Sequence, residues 1–227
     1  MWYSSSHMKD ILQGIIYVGL FAVPFLTLYV ANENFFPYIT GKNFWFRIIV
    51  EVVLAAYIIL ALLDTTFRPR FSWLLATFAA LLSVMLISTL GAEHITTALW
   101  SNFERMDGYV TLVHVFLYFL VLAGMFKSRA IWTYFLNTTV GVAALVALQG
   151  VAQLSGGTTR VDSTLGNAAY MAVYMLFHIF IVGLLFARTK VVPYRVIYGL
   201  LIALFVFVLL QTGTRGTAIG LATGSLA

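Results

Sequence analysis

Long apolar runs, each about as long as a bilayer is thick, alternate with short polar stretches along the chain. At about 1.5 Å rise per residue, some 20 apolar residues cross a hydrocarbon core of about 30 Å. The pattern predicts spans over Ile11–Val30, Trp45–Leu63, Trp73–Leu90, Tyr109–Phe126, Ile131–Leu154, Ala168–Ala187 and Val196–Leu210. A last run, Thr217–Ala227, begins an eighth but reaches about half of the core, so the sequence is expected to continue beyond it.

Punctuation within this pattern is sparse. Pro24 falls inside the first span, where neighbouring helices can re-satisfy the backbone that a proline frees. Asn167 precedes the sixth span as a favoured helix N-cap. The polar stretch Gly91–Gly108 is expected to lie along the membrane surface with Leu99, Trp100 and Phe103 facing lipid. The expected fold is an all-α integral membrane protein, a polytopic helix bundle of about eight spans with the last one incomplete. Residues 1–10 read as a polar tail with Met8 as the natural start, and residues 11–227 as one transmembrane domain.

Composition agrees with this pattern. Hydrophobic residues make up 62% of the 227 and charged ones 9%, and the mean hydropathy is +0.97. A soluble domain carries roughly a quarter charged residues. The absence of cysteine excludes disulfides, thiolate metal sites and a cysteine nucleophile. A net charge of +5 would suggest nucleic acid in a soluble protein; here it is read loop by loop, and no nucleic-acid partner is expected. With the N-terminus inside, eight of the 13 Lys and Arg fall in inner segments and five in outer ones, which the positive-inside rule favours.

That orientation makes four spans begin on the outer face, each preceded or opened by an arginine: Arg47, Arg105, Arg160 and Arg215. Helix N-termini carry positive dipole ends and favour anions, so arginines there make sense around an anionic ligand such as a phosphate or diphosphate. The structural alternative pairs Arg47 with Glu51, Arg105 with Glu104 or Asp107, and Arg160 with Asp162. Only Arg215 is then left without a nearby acid. It stands in Thr214-Arg215-Gly216 between two apolar runs, where a charge is costly and a functional role is the default hypothesis, with snorkelling to lipid headgroups as the bland one.

Other polar residues read more simply. His114, His178, Asn137, Gln149 and Gln153 can all be satisfied between helices. His94, in the interfacial stretch, has no recognisable partner for nucleophilic chemistry, and no metal-ligand spacing, P-loop or dinucleotide fingerprint occurs, so no metal or cofactor is expected.

Three stretches together resemble the O-antigen ligase and O-antigen polymerase superfamily of bacterial membrane glycan transferases. They are Trp100-Ser101-Asn102-Phe103-Glu104-Arg105-Met106-Asp107-Gly108, Ser163-Thr164-Leu165-Gly166-Asn167-Ala168-Ala169-Tyr170-Met171-Ala172 and Thr214-Arg215-Gly216. The resemblance covers the chain from Met8 onward and places it in the amino-terminal part of a larger bundle. It implies a protein of the bacterial inner membrane, N-terminus cytoplasmic and site facing the periplasm. It also implies transfer of a glycan from an undecaprenyl-diphosphate carrier to an acceptor lipid or glycan. By similarity Arg215 meets the carrier diphosphate, with Arg160 and Arg105 as further matches, and the base histidine lies in a later loop. Asn167 is followed by Ala168-Ala169 where many relatives have Pro-Asn. The alternative from another class is a transporter or flippase for an anionic or lipid-linked substrate. Spans 3, 5 and 7 offer it no charged residue along a path to the inner face. An assembly subunit without catalysis is a third reading.

Overall fold

The computed structural model describes residues 2–102 and 105–226, with side chains from His7 onward. Phe103, expected to face lipid, and Glu104, a suggested partner of Arg105, lie outside the described residues. The described secondary structure is helical: α1 (Trp2–Ala22), α2 (Thr40–Leu63), α3 (Trp73–Leu90), α4 (Ile95–Trp100), α5 (Tyr109–Met125), α6 (Arg129–Ser155), α7 (Ala168–Arg188), α8 (Val192–Gln211) and α9 (Arg215–Gly224). Among the described residues, six helical segments are long and apolar enough to cross a membrane: His7–Leu28, α2, α3, α6, α7 and α8. Of the eight expected spans, the fourth is a 17-residue helix, α5, and the eighth a 10-residue one, α9. Helix α1 starts at Trp2, within the stretch expected as an N-terminal tail, since nothing between Trp2 and Pro24 forbids a helix. Large apolar side chains such as Val18, Leu62, Ile87 and Leu200 are exposed on the outer faces of these helices. That arrangement suits a lipid environment.

The chain divides into two compact units. The first contains α1 to α5 and the start of α6. Its core uses one face of each helix: Leu12, Ile16 and Leu20 on α1, Val50, Val53, Tyr57 and Leu60 on α2, and Val121, Leu122 and Met125 on α5. These spacings of three and four residues are what one helical face requires. Gly19 lets α1 approach α2, because a Cβ there would fall on the Val53 side chain. Pro24 ends the regular part of α1, and the chain continues as a 3-10 stretch, Val23–Leu28. Proline has no N–H for the carbonyl four residues back, which belongs to Leu20. The hydroxyl of Tyr118 on α5 donates to that carbonyl at 2.9 Å, so a neighbouring helix does supply the missing bond.

At one end of this unit the loop after α2 is fastened from several sides. Tyr57 donates its hydroxyl to the Phe67 carbonyl at 2.8 Å. Asp64 accepts from both the amide and the hydroxyl of Thr66 and pairs with Lys9 of α1 at 3.0 Å. Ser72 then caps α3, accepting from the Leu75 amide at 3.1 Å.

The second unit comprises residues 27–30 and 132–227. Val140, Ala143 and Ala147 of α6, Met171, Met175, Ile179 and Val182 of α7, and Phe205, Val208 and Leu209 of α8 form its core. Asn167 caps α7 as expected, accepting from the Ala169 amide at 2.8 Å. Buried His178 faces the Tyr174 carbonyl at 2.8 Å, and Tyr198 of α8 donates to Asn137 of α6 at 2.7 Å. These polar residues therefore serve packing.

Two tests follow from the first unit. Tyr118→Phe leaves the Leu20 carbonyl without its donor in an apolar setting and should cost about 1–3 kcal/mol of stability, measured by unfolding in mixed micelles. Asp64 is held at about 2, against an ordinary 3.8, first by the Thr66 hydroxyl, then by the Thr66 amide and Lys9. A depressed carboxyl stabilises the folded state fully above its ordinary value and loses that effect as pH falls through its folded one. Stability should therefore drop as pH falls from about 3.8 towards about 2, and the Asp64→Asn variant should show a flatter profile over that window.

Candidate anion-binding site

In the second unit, α8 ends at Gln211, Thr212 caps it, Gly213 turns the chain and α9 begins at Arg215. Gly213 has φ +66°, a left-handed conformation that lets the chain leave one helix and enter the next within three residues. The loop after α6 returns to this turn. Arg160 donates through Nε to the Thr212 carbonyl at 3.1 Å, and the Val161 amide donates to the Gln211 carbonyl at 3.3 Å. Two carbonyls at the C-terminal end of α8 are thereby satisfied by one strand of loop. Its base is fixed by Gln153, which donates to Asp162 at 3.1 Å and accepts from the Ser163 amide at 2.8 Å. Buried Ser163 donates to the Val146 carbonyl at 2.7 Å.

This network decides the fate of two sequence expectations. Asp162 is engaged by Gln153, and no ion pair joins it to Arg160 among the described residues. Arg160 spends its Nε on a carbonyl, which fixes the plane of the guanidinium and keeps its charge uncompensated. Arg215 opens α9 and is solvent-exposed. The Thr214 side chain gives that helix no cap, and its hydroxyl oxygen is buried with no hydrogen-bond partner among the described residues. An uncapped N-terminus flanked by Arg160 and Arg215 is an electropositive turn that can accept a phosphate group by charge and by hydrogen bonds.

Arg105 belongs to the first unit and has a different setting. Its guanidinium lies over the Phe36 ring at 5.4 Å, its carbonyl accepts from Asn43 at 3.0 Å, and its Nε is buried with no hydrogen-bond partner among the described residues. No ion pair to Asp107 forms among the described residues. Arg47 departs further from expectation. Its suggested partner Glu51 instead meets His114 Nε2 at 3.3 Å. Arg47 donates to the Met106 carbonyl and to the Thr111 hydroxyl, the latter at 2.7 Å, and stacks over Trp100 at 5.5 Å. It thus clamps a stretch containing two non-glycine residues with left-handed backbone, Ser101 (φ 63°) and Met106 (φ 54°). Such conformations persist only where surrounding contacts over-determine them. Sequence reasoning set Arg47 aside because an acid one turn away offered a simpler partner. Gln153 was likewise invisible, since a glutamine in an apolar helix carries no sign of a loop partner.

No family model, curated protein or solved structure matches the chain.

Gly213→Ala tests the turn directly. A Cβ there would meet Arg160 Nε at an ordinary 3.6 Å, so the penalty is conformational. A loss of about 1–2 kcal/mol is expected from the left-handed backbone, read as a lowered unfolding midpoint in detergent, with Gly213→Asn milder.

Proposed function

We propose that this protein is a membrane glycosyltransferase of the O-antigen ligase or polymerase type, which takes a glycan from an undecaprenyl-diphosphate carrier and passes it to an acceptor lipid or glycan at the periplasmic face. One observation carries the reading: Arg160 is held against the α8–α9 turn at Thr212, three residues before Arg215 opens an uncapped helix. In the reaction the acceptor oxygen bonds to the anomeric carbon as the bond from that carbon to the diphosphate oxygen breaks. The acceptor proton passes to a base, which the family resemblance assigns to a later loop. Charge builds on the departing diphosphate, and fixed guanidinium and amide donors stabilise it most at that moment. Arg105, in its own unit, is a further phosphate contact by resemblance. On this reading α5 also crosses the bilayer, α9 begins an eighth span, and the N-terminus lies in the cytoplasm of a bacterial inner membrane.

Purified protein titrated with farnesyl diphosphate, a short analogue of the carrier, tests the grip. Arg160→Ala and Arg215→Ala should each weaken binding roughly 10- to 100-fold, the range expected for a lost charge-assisted hydrogen bond. Farnesol should bind neither wild type nor variant measurably. Unchanged affinity in both variants would sink the proposal. In cells, Arg215→Ala should abolish glycan transfer with membrane insertion intact.

A further inference from the structure

The first unit contains a second cationic site at the end where Lys9 meets Asp64. A cavity of about 420 Å³ opens between the loop after α2 and the C-terminal end of α5. Arg68, Arg70, Ser72 and Lys127 supply its polar lining, and Phe71 and Phe126 part of its apolar wall. Three cations share this volume, and no acid lines it. Asp64 is the only acid between Glu51 and Glu93, and its carboxylate is already taken by Thr66 and Lys9.

The cations are held by means other than acids. Arg68 donates through Nε to the Ala61 carbonyl at 3.3 Å. Lys127 donates to the Thr66 carbonyl and lies over the Phe67 ring at 4.2 Å. Arg70 makes no hydrogen bond or ion pair with any described residue. The loop that carries the two arginines is itself pinned through the bond from Tyr57 to Phe67. Close packing of α5 completes the wall, because Gly124 has no Cβ to collide with Tyr57. Like charges gathered around one cavity repel one another, and an anionic ligand bound there would relieve that repulsion.

What lies beside the cavity identifies the kind of anion. Phe71 and Trp73 are 74% and 79% exposed and meet edge to face at 5.6 Å. Trp73 is also the first residue of α3, an apolar helix long enough to cross a membrane. Aromatic side chains at the end of such a helix sit at the level of lipid headgroups. Basic pockets at the ends of membrane helices hold the headgroups of anionic lipids.

We infer that this cavity binds the phosphodiester headgroup of an anionic phospholipid, with Arg68, Arg70 and Lys127 as its ligands and Phe71 and Trp73 against the glycerol and upper acyl region. The inference requires membrane embedding but not glycan transfer. The lipid would be a resident one that fixes the depth of the loop and of the first turn of α3. It is independent of any carrier held at the α8–α9 turn.

Native mass spectrometry of the detergent-purified protein offered phosphatidylglycerol, phosphatidylcholine or inorganic phosphate tests it. Wild type should retain one phosphatidylglycerol and no phosphatidylcholine. Each cation near a membrane surface contributes roughly fivefold to anionic-lipid affinity. The triple variant Arg68→Gln, Arg70→Gln, Lys127→Gln should therefore lose about 100-fold. Arg70→Gln alone, which breaks no bond within the protein, should lose roughly fivefold, so a misfolded triple variant leaves the test intact. Arg188→Gln with Lys190→Gln, at the end of α7 and in the loop after it, should retain the lipid, as should Arg215→Ala while losing farnesyl diphosphate. Equal loss from the two basic loops would overturn the site in favour of diffuse charge. Retention of phosphatidylcholine, or of inorganic phosphate in place of the lipid, would overturn the ligand.

Discussion

A backbone carbonyl that loses its helical partner in an apolar environment has no water to turn to, and much of this structure follows from that constraint. Proline at 24 frees the Leu20 carbonyl, and Tyr118 supplies the donor. The last turn of α8 frees the carbonyls of Gln211 and Thr212, and the Val161 amide and Arg160 supply donors. Met106 receives Arg47, Phe67 receives Tyr57, and Ala61 receives Arg68. In most of these cases a long side chain closes a gap that local geometry opened, and at Gln211 a loop amide does so. The side-chain donors among them are tyrosines and arginines, long side chains that end in an O–H or N–H.

An arginine used in this way acquires a second property. Binding a carbonyl through one nitrogen orients the guanidinium without neutralising it, whereas binding a carboxylate would cancel most of its field. Arg160 and Arg68 both make their recorded bond through Nε to a carbonyl, which leaves the terminal nitrogens for a ligand. The same bonds that satisfy the backbone therefore preorganise positive charge. A ligand then meets donors already in place, and less of its binding energy is spent on ordering them. The two basic sites differ in what surrounds them. The α8–α9 turn adds the N-terminus of a helix, which suits a compact, multiply charged group. The cavity lined by Arg68, Arg70 and Lys127 adds exposed aromatic surface, which suits a headgroup with an apolar body attached.

Elements governed by local rules were legible in the sequence. The limits of α3 coincide with the expected Trp73–Leu90, because Ser72 and Gly91 bracket an uninterrupted apolar run. Asn167 caps α7 for the reason it was expected to, and the turn at Gly213 falls where a glycine separates two apolar runs. Helix starts were less legible where polar residues extend an apolar segment: α2 begins at Thr40 and α8 at Val192, several residues before their apolar runs. The backbone continues its hydrogen-bonding ladder through such residues, and Pro193 falls in the first turn of α8, where its missing N–H has no helical partner to lose.

Partner choice was the least legible feature, and the arginines show why. Sequence proximity made Glu51 the natural partner of Arg47 and Asp162 that of Arg160. A pair one turn apart on a helix gains only a few tenths of a kcal/mol where solvent can reach it. A buried carbonyl left without a donor costs about 1–3 kcal/mol. The larger penalty decides, so each arginine turns to the carbonyl, distant in sequence, that needs it. The acids then find other donors, Glu51 at His114 and Asp162 at Gln153. In a chain with so few charged residues, the backbone's unmet hydrogen bonds therefore determine where positive charge remains uncompensated. Those are the places where an anionic ligand has something to gain.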